Sequence, residues 1–174
     1  MASLLGLVGS LRSGSVNGLV ARTAAGLVDE LTLHDLRSLP LYDGDAEESG
    51  PPSAATDLHT AVVAADGIVF FTPEYNSSFP AVTKNAVDWM SRPPRAYDGK
   101  AVTMIVASPG GRAGLGVREH FETTMAHQPV RLFETLGLGR YGDRLTPDGT
   151  LDTETTDEVV DFLGRFGRFA SESG

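Results

Sequence analysis

A loop free of carboxylates follows the first apolar run of the chain. The segment GSLRSGSVNG, residues 9–18, contains three serines, one arginine and one asparagine, in a protein whose formal net charge is −9. Backbone amides at a helix start favour an anion, and arginine adds charge-assisted hydrogen bonds to phosphate. A monophosphate is therefore the simplest ligand for this loop. A serine-capped turn with a surface arginine fits the segment equally well, so the loop alone leaves both interpretations open.

Two nucleotide-binding motifs match the chain only in part. Gly9 and Gly14 coincide with the glycines of G-x-x-x-x-G-K-[ST], but Ser15 and Val16 replace the lysine and the hydroxyl residue. Without these groups the mechanics of a nucleoside triphosphatase are missing. The segment GLGRYG, residues 137–142, matches G-x-G-x-x-G, but the following residues DRLTPDG do not begin a helix. We interpret that match as a loop that coincides with the motif by chance.

A second polar loop combines Pro73, Glu74, Tyr75 and Asn76. Proline stiffens the backbone, tyrosine presents a flat face, and asparagine offers donors to the edge of a heteroaromatic ring. Glu74 can accept a hydrogen bond or cap the helix that is predicted to begin near Pro80. This loop therefore has the groups that bind an aromatic ligand.

The elements that position these loops follow from apolar patterning. Nearly continuous apolar runs at residues 4–8, 67–71 and 101–107 predict strands that are buried on both faces of a parallel sheet. Alternating runs at residues 30–36 and 130–133 predict the two edge strands. Helical spacing predicts helices with apolar stripes through residues 20–28, 55–64, 82–90, 117–125 and 159–169.

Alternating strands and helices predict an α/β protein. We expect a single domain over residues 1–174, a flavodoxin-like three-layer α/β/α sandwich whose five-stranded parallel sheet has the order 2-1-3-4-5. In that order the loops after the first, third and fourth strands open at one edge of the sheet. The third of these loops is the glycine-rich segment SPGGRAGLG, residues 108–116. Residues 42–53, which are acidic and rich in Gly and Pro, predict a solvated loop.

Composition excludes several functional classes. The chain has no cysteine, which rules out disulfides, thiol catalysis and cysteine-ligated metal centres. It has no spacing typical of a metal site, so we expect no metal. The negative net charge argues against nucleic-acid binding. No apolar run approaches the roughly 20 residues that span a bilayer, so we expect no membrane insertion and a cytoplasmic location.

Taken together, the motifs GSLRSGSVN and PEYNSSFPAVTKNAVDW and the glycine-rich third loop resemble the NADPH-dependent FMN reductase family, which includes quinone, azo-dye and chromate reductases. The resemblance runs from residue 9 to the last helix. Departures from the family pattern are Gly18, Ser77 and Pro109. By this resemblance the FMN phosphate is surrounded by Ser10, Arg12, Ser15, Val16 and Asn17. Along the isoalloxazine ring lie Pro73, Glu74, Tyr75 and Asn76, and its other side is closed by Ser108, Gly110 and Gly111.

The resemblance also implies an activity. The chain is expected to pass a hydride from NADPH or NADH to bound FMN, and then electrons to a quinone, azo compound, metal oxyanion or flavin. Backbone N–H groups of the third loop are candidates to stabilise the N1–C2 carbonyl region of reduced flavin. The partner is then a small-molecule electron acceptor, and a homodimer or homotetramer is expected. The alternative is a flavin-binding electron carrier or redox-sensing interaction protein without turnover of its own.

Overall fold

A parallel sheet forms the middle layer of the protein, of which a computed structural model describes residues 2–172. Its strands are β1 (Leu4–Val8), β2 (Leu31–His34), β3 (Gly67–Phe71), β4 (Ala101–Ala107), β5 (Arg131–Leu132) and β6 (Leu136–Leu138). The order is β2-β1-β3-β4-β5, with β6 also pairing with β4, and every pairing is parallel. The predicted strand order and the three predicted central strands are confirmed.

Helices cover both faces of the sheet. They are α1 (Val16–Ala25), α2 (Gly44–Glu48), α3 (Ser53–Ala64), α4 (Ala81–Met90), α5 (Leu115–Met125) and α6 (Thr153–Ser171), with a short 3-10 helix at Tyr141–Arg144. One apolar cluster joins α1 and α6 to one face, and the other joins α3, α4 and α5 to the opposite face. This arrangement confirms the predicted three-layer flavodoxin-like fold. None of the helices within residues 2–172 combines the length and the apolar character that a membrane crossing requires.

Strand β3 shows why the central strands read as unbroken apolar runs. Side chains alternate between the two faces of a strand, and here each face meets a layer of helices. Ile68 and Phe70 belong to the cluster under α3–α5, whereas Val69 and Phe71 belong to the cluster under α1 and α6. Each side chain of this size gains about 1.5–3 kcal/mol by full burial, so both faces stabilise the same strand.

The far edge of the sheet differs from the prediction, because the strand expected at residues 130–133 is shortened to β5 and an unpredicted sixth strand, β6, follows it. Both β5 and β6 pair with β4. In the link between β5 and β6, the Glu134 carbonyl accepts a hydrogen bond from Thr103 Oγ1 at 2.6 Å. The irregular link turns Phe133 onto α6, where its ring centroid lies 5.1–5.7 Å from those of Phe162, Phe166 and Phe169. Aromatic packing thus accompanies the interruption of the edge.

The segment predicted as a solvated loop, residues 42–53, contains the short helix α2. Asp43 caps this helix, because its side chain accepts a hydrogen bond from the Asp45 amide at 2.9 Å. Glu47 then accepts hydrogen bonds from the Tyr42 hydroxyl at 2.8 Å and from Arg92 at 2.9 Å. The bond from Arg92 ties the acidic segment to the turn that follows α4.

Candidate functional site

A cavity of about 370 Å³ opens at the carboxyl ends of β1, β3 and β4. It is lined by Ser10, Arg12, Ser15, Val16, Asn17, Pro73, Glu74, Tyr75, Ala107, Ser108, Pro109 and Tyr141. The structure therefore brings together nine of the twelve residues that the sequence singles out. The three that do not line the cavity are Asn76, Gly110 and Gly111.

The start of α1 forms one end of the cavity. Ser15 is the N-cap, and its Oγ accepts a hydrogen bond from the Gly18 amide at 3.2 Å, while its carbonyl accepts one from the Leu19 amide at 2.9 Å. Within residues 2–172, the amides of Val16 and Asn17 have no acceptor. Free amides and the positive end of the helix dipole favour an anion at this position.

Arg12 stands beside this helix start and supplies positive charge. Its Nη2 donates to the Gly14 carbonyl at 3.1 Å, which holds the guanidinium over its own loop. Among residues 2–172 no carboxylate lies within ion-pair distance of Arg12. The guanidinium is therefore available to an anionic ligand.

Asn17 has a structural role that the sequence did not indicate. Its Nδ2 donates to the Ala107 carbonyl at 3.0 Å, and its Oδ1 accepts from the Ala107 amide at 2.7 Å. Asn17 is buried, so both bonds are shielded from water. The side-chain amide thus fixes α1 to the end of β4 and positions the cavity wall, while its backbone amide remains available.

The second loop is a tight hairpin. The Tyr75 amide donates to the Ser78 carbonyl at 2.9 Å, and the Ser78 amide donates to the Tyr75 carbonyl at 3.0 Å. The two residues at the tip, Asn76 and Ser77, have φ values of 52° and 59°. Asparagine tolerates this left-handed conformation better than most residues. The turn leaves Tyr75 on the cavity wall and carries Asn76 outward into solvent.

Glu74 caps a different helix from the one the sequence suggests. Its Oε2 accepts a hydrogen bond from the Val117 amide at 3.0 Å, at the start of α5 and not of α4. Gly116 favours this close contact, because a Cβ there would lie 3.1 Å from Glu74 Oε2 and 3.0 Å from Ser77 Cβ. The carboxylate is therefore committed to a helix start even though the residue lines the cavity.

The third loop offers fewer free amides than expected. The Ser108 amide donates to the Leu138 carbonyl at 3.0 Å, and the Gly110 amide donates to Ser108 Oγ at 3.3 Å. Pro109 has no N–H to give. A Cβ on Gly111 would lie 3.3 Å from Arg140 Nε, so this part of the loop faces the segment after β6. The Ser108 and Gly110 amides are thus engaged within the protein.

Sequence reasoning missed Tyr141 as a cavity residue. Tyr141 lies in the 3-10 helix after β6, and its amide donates to the Ser108 carbonyl at 3.2 Å. It belongs to GLGRYG, the segment interpreted as a chance motif match. No α-helix opens there, so it is not a dinucleotide fingerprint, but the segment forms β6 and brings an aromatic ring to the site. An aromatic residue just after the last strand was the available signal.

The site fits a phosphorylated flat aromatic group. One end presents free amides, Ser15 and Arg12, while the other presents Pro73, Tyr75 and Tyr141. The single lining carboxylate, Glu74, is bonded to the start of α5. A volume of about 370 Å³ is within the usual range of ligand pockets, ~300–1,000 Å³. The fold and the site define a flavodoxin-like protein. Its candidate anion-binding site lies at the carboxyl ends of the strands, where the order of the strands along the sheet reverses direction.

Comparison with known proteins identifies the family. Residues 2–136 match the model of the NADPH-dependent FMN reductase family, and the chain belongs to that family. It is 40% identical to an NAD(P)H-dependent FMN reductase of Pseudomonas aeruginosa, covering 73% of this chain and 71% of that protein. It is 35% identical to a quinone reductase of Escherichia coli, covering 94% and 92%.

A solved structure agrees with this assignment. FerB, a flavoenzyme NAD(P)H:(acceptor) oxidoreductase from Paracoccus denitrificans, superposes with a TM-score of 0.87 at 25% identity and full coverage of both chains. The predicted family, the oxidoreductase class and the FMN and NAD(P)H cofactors are confirmed.

Proposed function

We propose that the protein uses FMN held in the 370 Å³ cavity to move electrons from NAD(P)H to a small-molecule acceptor, with quinones as the favoured class. The observation that supports this most is the pairing of an anion-binding helix start with an aromatic wall in one cavity. Quinones are favoured because relatives covering nearly the whole chain are quinone reductases.

The phosphate end would be formed by α1 and the first loop. The Val16 and Asn17 amides, the Ser10 and Ser15 hydroxyls and the Arg12 guanidinium converge there. Asn17 holds this end against β4 through its two bonds to Ala107. No carboxylate of this end opposes an anion, which is the property that the unusual composition of residues 9–18 provides.

The ring end would be formed by side chains that shape and orient a flat ligand. Pro73, Tyr75, Pro109 and Tyr141 all line the cavity and would contact the ring. Bound FMN supplies the chemistry, since flavins accept a hydride and pass electrons on. The chain itself orients the ring, and one side of the cavity remains open for the nicotinamide and the acceptor to enter in turn. Asn76, Gly110 and Gly111, which do not line the cavity, would act on the loops rather than on the ring.

The decisive experiment is reduction of the flavin-loaded protein. We expect purified protein to bind FMN with a shifted visible spectrum, and stopped-flow mixing with NADPH or NADH to bleach it rapidly. Added quinone then restores the oxidised spectrum. Failure to bind FMN would overturn the proposal, and binding without reduction by either nucleotide would favour the electron carrier.

Arg12→Ala tests the phosphate end separately. Loss of a hydrogen bond to a charged group costs about 1.5–3 kcal/mol, so FMN affinity should fall by that amount. Riboflavin, which lacks the phosphate, should bind the variant as it binds the native protein. Equal losses for both ligands would mean that Arg12 acts on the folding of its loop.

A second copy of the chain is proposed to cover the exposed apolar rim of the cavity. Tyr75 lines the cavity and Leu11 lies between its lining residues Ser10 and Arg12; these two large side chains are 54% and 41% exposed. We propose a homodimer or homotetramer, which sedimentation analysis with and without FMN tests directly. The cytoplasm, which maintains reduced nicotinamide nucleotides, is the proposed location.

A further inference from the structure

A second cavity lies on the opposite side of the first loop. It has a volume of about 300 Å³ and lies between that loop, α1 and the end of β2. It is lined by Val8, Ser10, Leu11, Arg12, Ser13, Gly18, Arg22, Leu33, His34, Asp35 and Arg37. Ser10 and Arg12 line both cavities, so the two meet at the end where the FMN phosphate is proposed to bind.

The charge of this second cavity is opposite to that of the protein. Three guanidinium groups, those of Arg12, Arg22 and Arg37, line it together with one carboxylate, in a chain with a net charge of −9. That carboxylate, Asp35, is engaged by Arg37, with a 3.8 Å ion pair and a 2.9 Å bond from the Arg37 amide. Within residues 2–172, Arg12 and Arg22 have no carboxylate partner.

Gly18 leaves room for one of these arginines. A Cβ at Gly18 would lie 3.1 Å from Arg22 Nη1, which shows that the guanidinium lies back along α1 toward the helix start. Residues four apart lie on one face of a helix, so Arg22 covers the surface that Gly18 exposes. The absence of a side chain at position 18 thus leaves space for the Arg22 guanidinium in its present position beside the cavity.

Arg37 is positioned by the first loop. Its Nη1 donates to the Leu11 carbonyl at 3.1 Å, which ties the end of β2 to the loop. This bond keeps the guanidinium of Arg37 at the edge of the cavity, although its side chain is 63% exposed. Arginine is the residue best suited to phosphate, because its planar fork makes two hydrogen bonds at once.

We propose that this second cavity binds a phosphate group of a nucleotide in addition to the phosphate of FMN, with Arg22 as its principal ligand. The proposal rests on FMN binding in the first cavity. Two ligands would bring such a phosphate across the first loop: FAD through its second phosphate, and NADPH through its 2′-phosphate. Because Ser10 and Arg12 line both cavities, FAD could span the two as a single ligand, whereas NADPH would bind the second cavity with FMN already in the first.

Paired affinities on Arg22→Gln test the proposal. Dissociation constants are measured for FMN and FAD with the cofactor-free protein, and for NADP⁺ and NAD⁺ with the FMN-loaded protein. We expect Arg22→Gln to raise the dissociation constant of either FAD or NADP⁺ about tenfold. The dissociation constant of the matching ligand without the extra phosphate, FMN or NAD⁺, should change less than twofold. The pair that responds identifies the source. Arg168→Gln, an exposed arginine on α6, is the matched control for loss of one charge.

Gly18→Ala provides an independent test without changing charge. The new methyl group would lie 3.1 Å from Arg22 Nη1 and push the guanidinium away from its present position, and alanine is favoured over glycine in a helix, so the fold should hold. In both Arg22→Gln and Gly18→Ala, the affinity for the ligand with the extra phosphate should fall relative to the affinity for its partner without it. Ratios that stay within twofold in Arg22→Gln, or that fall equally in Arg168→Gln, overturn the proposal. Absence of FMN binding in the native protein would instead overturn the proposed function.

Discussion

Two helices begin beside the same cavity, and their starts are capped in opposite ways. At α5 the carboxylate of Glu74 accepts the Val117 amide. At α1 the neutral hydroxyl of Ser15 accepts the Gly18 amide, and Arg12 lies nearby. Both helix starts carry a partial positive charge of about half an elementary unit. A negative side chain neutralises it at α5, and none does so at α1.

The difference shows that a helix start becomes an anion site only when its cap leaves the charge uncompensated. Glu74 supplies within the chain what a ligand phosphate would supply at α1. The carboxylate also faces away from the phosphate end, since it is bonded to α5. The pattern of acids in the loops therefore selects which of two neighbouring helices binds an anion.

The largest expected change in FMN affinity comes from Ser15→Asp, which gives α1 an acidic cap like that of α5. Aspartate caps helices as well as serine does, so α1 should remain folded. Its charge would oppose the FMN phosphate at about 4 Å, which costs about 4 kcal/mol at an effective dielectric constant near 20. FMN affinity measured by fluorescence quenching should fall roughly a thousandfold, while riboflavin affinity is retained.

Ser15→Asn is the matched control, because it keeps the shape of aspartate without the charge. It should lose much less FMN affinity than Ser15→Asp. Equal losses in both variants would mean that the size of the cap, and not its charge, controls the site.

A smaller effect is expected when the acid at α5 is removed with Glu74→Gln. Loss of a charge at a helix start typically costs about 0.3–1 kcal/mol, so the free energy of unfolding in urea should fall by that amount. FMN affinity should hold or rise slightly, since a negative charge beside the cavity disappears. Glu119→Gln, exposed on the same helix, serves as the control. A clear fall in FMN affinity would indicate that Glu74 contacts the flavin, as the family resemblance predicted.

The smallest effect concerns α6, a third helix whose start is capped by an acid. Asp152 accepts the Thr155 amide at 2.7 Å, and this bond, followed by one from the Thr155 hydroxyl, holds the pKa of Asp152 below its ordinary value of 3.8. Because the folded pKa is the lower one, the stabilisation is present above about pH 4 and is lost as the pH falls through the folded value.

Asp152→Asn should therefore be less stable than the native protein near neutrality and should show a shallower loss of stability below pH 4. Thermal unfolding between pH 3 and pH 7 measures both quantities. The exposed Asp161→Asn on the same helix is the control. Parallel pH profiles for native protein and Asp152→Asn would show that the cap contributes through its shape alone.

The sheet and most of the site could be predicted because they depend on local patterns. Continuous apolar runs identified β1, β3 and β4, and their order placed three polar loops at one edge. Since parallel strands end together, residues as distant as Ser10, Tyr75 and Ser108 could be assigned to one cavity without any view of their side chains.

The remaining features depend on contacts between distant segments. Glu74 precedes α4 in sequence, yet it caps α5, because Gly116 allows the hairpin to approach that helix. Tyr141 reaches the site only because the edge strand is interrupted and β6 continues along β4. Helix α2 lies in a segment whose composition is typical of a loop, and its contacts with Arg92 arise from the fold.

The bonds between Asn17 and Ala107 have a consequence for the order in which the protein is made. The two residues are 90 positions apart, so the phosphate end cannot take its final form until the ribosome has released β4. Contacts of such separation form late because a long loop must first close. During synthesis, FMN should therefore bind only after β4 has joined the sheet. A chain that ends before Ala107 should bind no FMN.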